Sequence, residues 1–133
     1  MTAFGAAWIA MATAFGLHAI DEAATHFLAW YNPTAVKIRA RLGVPFPPTF
    51  TFWPWFLGLL AVTAILFALS PLALVRDRRI VWLAVAFGII NVGNGLLHIL
   101  AAIRFRRRVP GLLSAPLLLA CATWLVVVAL RAL

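Results

Sequence analysis

Three acids and three histidines are all that the chain offers for acid–base or metal chemistry, and five of the six fall inside apolar stretches. His18, Asp21, Glu22 and His26 lie in the first stretch. His98 lies in a later one, with Asn91 and Asn94. Carboxylates mixed with imidazoles suit two chemistries. As ligands, two carboxylates cancel the charge of a divalent ion, and neutral imidazoles complete a nitrogen–oxygen set suited to zinc, non-haem iron or manganese. As acid–base partners, a carboxylate pair in low dielectric holds one proton, so one member donates while the other accepts and histidines relay.

Helical spacing groups these residues. At about 100° per residue, His18, Asp21, Glu22, Thr25 and His26 share a face within an arc of roughly 140°. Asn91, Asn94, Gly95 and His98 fall within roughly 100° of one another by the same arithmetic. Gly88 borders that second stripe, where a neighbouring helix or a ligand can approach closely. His18 with Glu22, and Glu22 with His26, are i,i+4 pairs able to share an ion, which His98 closes from the other helix. His18 and His26 stand about 12 Å apart along the axis, too far for one ion; a carboxylate-bridged pair of ions removes the conflict. The catalytic candidates are Asp21, Glu22 and His98, and the metal candidates are His18, Glu22, His26 and His98. Asn91 and Asn94 are candidate substrate contacts, with interhelical glue as the simpler role of Asn91. Thr25 is expected to bond back to the preceding turn.

The elements that carry these stripes follow from composition. The chain has 133 residues, 65% apolar and 11% charged, with a mean hydropathy of +1.05. A soluble domain sits near 45–50% apolar and about 25% charged, so a soluble fold and disorder are both excluded. The expectation is an all-α, polytopic membrane protein: a single-domain four-transmembrane-helix bundle with spans at about 3–31, 52–74, 80–103 and 111–130. Asn32-Pro33 should stop the first span. Pro54 is tolerable in the first turn of the second, and Pro116 should bend the fourth. No Lys or Arg precedes Lys37, so the basic start of a cleaved signal is missing and the first stretch is expected to remain as a span. The lone Cys121 excludes an intrachain disulfide.

The eleven cations lie between or beyond these spans, as lipid requires. Lys37, Arg39, Arg41, Arg104, Arg106, Arg107 and Arg108 fall in the first and third connections; Arg76, Arg78, Arg79 and Arg131 lie on the other side. That asymmetry places both termini outside, with connections one and three cytoplasmic. The net charge of +8 therefore serves orientation and anionic headgroups; no nucleic-acid partner is expected. Asp77 reads as a local partner for its neighbouring arginines. His26 precedes Asn32 by as many residues as His98 precedes Arg104, so the two stripes should overlap in height to within a turn, in the cytoplasmic half. Within the first connection, Thr34 to Leu42 is expected as a short surface helix. Pro45, Pro47 and Pro48 then lead to Phe50, Phe52, Trp53, Trp55 and Phe56, an interfacial anchor or a lid. Trp53 and Trp55 are candidate substrate contacts.

The run His18-Ala19-Ile20-Asp21-Glu22 and the later Asn94-Gly95-Leu96-Leu97-His98 resemble the HXXEE family of small integral membrane proteins. The resemblance extends over most of the chain, with Asp21 where the first glutamate is usual. It implies that His18, Asp21, Glu22, Asn94 and His98 carry the family pattern, and it implies no reaction. A fainter likeness, on His18 to Glu22 alone, is to sterol isomerases of the emopamil-binding class. Three functions stay open. The first is a metal-assisted enzyme acting on a lipid-like or isoprenoid-like substrate. The second is a metal-free acid–base isomerase or cyclase of such a substrate. The third is a small proton-coupled multidrug-type transporter, against which stands the lack of a broken-helix signal. Membrane lipids and a hydrophobic small molecule are the expected partners, and four short spans leave a homodimer open.

Overall fold

The computed structural model describes residues 2–133, as six helices with no strand among them. The first, α1 (Ala3–Ala24), is capped by the Thr2 side chain, which accepts from Gly5 N at 3.1 Å. One side of it buries Phe4, Trp8, Met11 and Phe15, and the same side continues into His18 and Glu22. That stripe makes α1 the central element. It packs against α3 (Phe52–Ala68), α4 (Ser70–Leu74) and α6 (Ala115–Leu130). Trp8 Nε1 donates to the Leu66 carbonyl at 2.8 Å, tying α1 to the end of α3. Pro71 has no N–H to continue α3, so the chain breaks at Leu69 and restarts as α4.

The long α5 (Arg78–Phe105) pairs closely with α6 along glycines. A Cβ on Gly88 would lie 2.6 Å from Val126 Cγ2, and one on Gly95 would lie 3.1 Å from the Ala115 carbonyl. Both glycines therefore admit a helix rather than a ligand. α6 also packs on α1, and α1 meets α5 mainly through side chains such as the edge-on pair Phe15–Phe87, 5.2 Å between centroids. The functional side chains occupy the cleft so left between α1 and α5. At the start of α5, Asp77 accepts from Arg79 N and pairs with its guanidinium at 3.1 Å. Those bonds hold the Asp77 carboxyl below its ordinary range.

α1 and α5 are long and apolar enough to cross a membrane; α3 and α6 are apolar but shorter. Three expected boundaries need correction. The helix expected to reach Tyr31 ends at Ala24, because Thr25 turns and His26 takes a left-handed conformation with φ 58°. A second helix, α2 (Phe27–Leu42), then carries Asn32 and Pro33 inside it. Pro33 costs that helix one hydrogen bond without ending it. Asn32 clamps the following loop instead, accepting from Phe50 N at 3.1 Å and donating to Phe50 O at 2.9 Å. The surface helix expected over Thr34 to Leu42 is the latter half of α2, closed by Gly43 at φ 65°. Finally, α6 starts at Ala115 rather than near Gly111, and Pro116 sits in its first turn, where proline begins a helix rather than bending it.

Candidate functional site

His18 and Glu22 stand one turn apart on α1, and α5 brings His98 against them. All three are buried. Glu22 Oε1 lies 3.1 Å from His98 Nε2 and 3.5 Å from His18 Nε2. The two imidazoles meet edge to face, with centroids 4.9 Å apart. One ligand atom from each of the three residues falls within 4.8 Å of the others. Ligands sharing a first-row ion through bonds of about 2.0–2.1 Å end up roughly 3 Å apart, which the two distances to Glu22 approach.

The far nitrogens assign the tautomers. His98 Nδ1 lies 2.7 Å from the Pro110 carbonyl, which only accepts, so Nδ1 carries a proton and, in the neutral ring, Nε2 turns its lone pair inward. Ser114 Oγ donates to Asp21 Oδ2 at 2.7 Å and so accepts from His18 Nδ1 at 2.8 Å. In its neutral form His18 Nε2 likewise turns a lone pair inward, and it is buried with no hydrogen-bond partner. Metal-binding histidines are held in this way, with the outer N–H given to a carbonyl or a carboxylate system. Asp21 reaches the cluster through Ser114 rather than directly, which explains how a shorter acid serves at that position.

The connection from α5 to α6 closes the cluster from below. Arg106, at φ 51°, ends α5, and the chain folds back beneath the site. Gly111 N donates to Thr25 Oγ1 at 3.0 Å, and Ser114 N donates to Asp21 Oδ2 at 2.9 Å. Gly111 has φ 75°. A Cβ there would lie 2.8 Å from His98 Cε1, 3.0 Å from Glu22 Cγ and 3.1 Å from His18 Cε1. Only glycine fits both the conformation and the space.

Beside Glu22 is a small chamber of about 120 Å³ lined by Phe27, Phe52 and Trp55 among others. A larger groove of about 560 Å³ runs between α2 and α5, with His98 in its wall. Phe27 borders both. Its ring stacks on Trp55 at 5.9 Å and on Tyr31 at 5.3 Å, and sits 5.7 Å from His98.

The structure gathers His18, Asp21, Glu22 and His98 in one place. His26 is not among the clustered ligands: exposed at the break after α1, it lines the small chamber beside Glu22, because the helix that would keep it four residues above Glu22 has ended. The expected level of His26 with His98 gives way to a pairing of His98 with His18 and Glu22, a shift of roughly 6–12 Å along α1. Asn91 is buried but bonds the Phe87 carbonyl of its own helix, away from the cluster. Asn94 lines the groove and Trp55 the chamber, whereas Trp53 is 65% exposed. Thr25 does bond back, to the Asp21 carbonyl at 2.6 Å, and also receives Gly111 N. Sequence reasoning missed Ser114, Gly111 and Phe27. Pro110-Gly111 is a turn signal, but what that turn touches is decided by tertiary packing.

A buried cluster of two histidines and one carboxylate, in an all-helical chain with two membrane-length helices, defines a helical protein with a candidate metal centre. The model of the family described as protein of unknown function with HXXEE motif matches residues 8–125, and the chain belongs to that family. No curated protein and no solved structure matches it.

Proposed function

We propose that this protein is a metal-assisted enzyme of the membrane, in which His18, Glu22 and His98 hold one zinc, iron or manganese ion beside a lipid-like or isoprenoid-like substrate. The observation that carries the reading is His18 Nε2, buried without a partner while its ring is fixed from behind through Ser114 and Asp21. Leaving such an acceptor idle costs about 1–3 kcal/mol, and a cation among these three donors removes that cost. Asp21 adds the second negative charge that balances a divalent ion. Three protein ligands leave positions for water or substrate, and a bound ion would supply Lewis acidity or an activated water. The chain's own residues orient the imidazoles, exclude water with Phe27 and Trp55, and seat the substrate.

The membrane setting is proposed as four spans: α1, α3 with α4, α5 and α6. Ile90, Leu97 and Ile103 of α5 are each about two-thirds exposed, and α3 buries Leu66 alone although apolar all round. Such faces call for an apolar surrounding. The count of cations supports both termini outside, which sets the site in the cytoplasmic half, near the α5–α6 connection.

One distance favours a second reading. At 3.1 Å, Glu22 and His98 are also close enough to share a proton, which suits metal-free isomerisation or cyclisation. Elemental analysis of protein purified without a metal-affinity column separates the two. The first reading expects about one ion per chain, lost in Glu22→Gln; fewer than about a tenth overturns it in favour of the second. The helix break at His26 removes one objection to a carrier, and proton-dependent flux in vesicles that is lost in Glu22→Gln would assign that role instead.

A further inference from the structure

The chain has three acids, and each is engaged within the fold: Asp21 with Ser114, Glu22 with His98, and Asp77 with Arg79. Arg104 therefore has no carboxylate available to it, yet it lies in the wall of the large groove between α2 and α5. The rest of that wall is mainly aromatic and aliphatic, with Phe27, Trp30, Leu97 and Leu100 among its members. Arg104 follows His98 by six residues and Asn94 by ten, so along α5 the cation stands about 9 Å from the histidine and about 15 Å from the asparagine. Arg104 is in the last turn of α5, the end nearest the proposed cytoplasmic interface.

We propose that this groove binds a single-chain lipid with an anionic head. The head pairs with Arg104, and the chain runs along α5 past His98 towards Asn94. Charge complementarity fixes the head: a guanidinium at the end of an apolar trough, with no protein counter-ion, is met by a carboxylate or a phosphate. The volume of about 560 Å³ is that of a site for one small ligand, and two acyl chains overfill it. The position of His98 fixes which part of the ligand faces the metal candidates. It is a segment about 9 Å into the chain, and not the head. This last point rests on the proposed function; binding in the groove does not.

The test uses the full chain in phosphatidylcholine nanodiscs, with stearic acid brominated in mid-chain as a quencher of Trp30 fluorescence and its methyl ester as the uncharged match. Trp30→Phe identifies the Trp30 component of the signal. The free acid should bind saturably and about tenfold tighter than the ester. Arg104→Gln should reduce the acid to the ester's affinity, and Ala101→Trp should block both. Equal affinity of acid and ester, an acid preference that survives Arg104→Gln, or equal competition by two-chain phosphatidic acid overturns the proposal. Protein stripped by chelator should bind the acid as before. Acid binding in a protein that never carries metal leaves the groove standing and removes the metal reading. Metal at full occupancy without acid binding does the reverse.

Discussion

Replacing Gly111 by alanine tests how closely the α5–α6 connection fits the cluster. Two costs are expected. The left-handed backbone at φ 75° penalises any Cβ by about 1–2 kcal/mol. The new methyl would also stand 2.8 to 3.1 Å from carbons of His98, Glu22 and His18, and crowding of that kind costs about 1–3 kcal/mol. Gly43→Ala isolates the first cost, since Gly43 has φ 65° and nothing within 4 Å of its would-be Cβ. Gly111→Ala should therefore destabilise by about 2–5 kcal/mol and Gly43→Ala by about 1–2 kcal/mol. Reversible unfolding in mixed detergent gives both values, and metal content of the same samples gives the second readout. The clash pushes two imidazoles and a carboxylate apart, so Gly111→Ala should also lose metal while Gly43→Ala retains it. Equal destabilisation of the two variants with parental metal content in both would refute the packing argument.

Ser114→Ala removes the acceptor for His18 Nδ1 and the link to Asp21; metal affinity measured by competition with a chelator should fall about 10- to 100-fold with the helical content unchanged. His26→Ala should leave both metal content and stability at parental values, as an exposed residue outside the cluster, whereas His18→Ala should abolish metal retention. The Asp77 carboxyl is held below its ordinary value of 3.8 by Arg79, so the pair stabilises the fold above that value and the contribution fades as pH falls through the lower folded value. Unfolding measured from about pH 5 downward past 3.8 should show this component declining in the parent protein but not in Asp77→Asn.

The polar stripes were legible because helical spacing is rigid. His18 and Glu22 had to share a face, and His98 could be assigned to the same site, although the spacing set it level with His26 rather than with His18 and Glu22. The apolar segments of α3, α4, α5 and α6 could be read the same way, from runs bounded by proline and arginine. The break at His26 was not legible. Histidine is no habitual helix stop, and the neighbouring Thr25 receives Gly111 N from a distant part of the chain. Proline at 33 misled in the opposite direction: α2 runs through it with one hydrogen bond fewer. Ser114 escaped notice because a lone serine in a turn carries no pattern; its role comes from an Asp and a His on a helix more than ninety residues away.

That separation has a consequence for synthesis. His18, Asp21 and Glu22 leave the ribosome early, whereas Ser114, which completes the support of His18, follows 96 residues after it and 93 after Asp21. Until α6 has joined, the first helix carries Asp21 and His18 without the serine that satisfies them. On the proposed metal reading an ion taken up earlier would meet ligands free to rotate, so loading should mark the final stage of assembly, and chains truncated before residue 110 should emerge empty and prone to degradation.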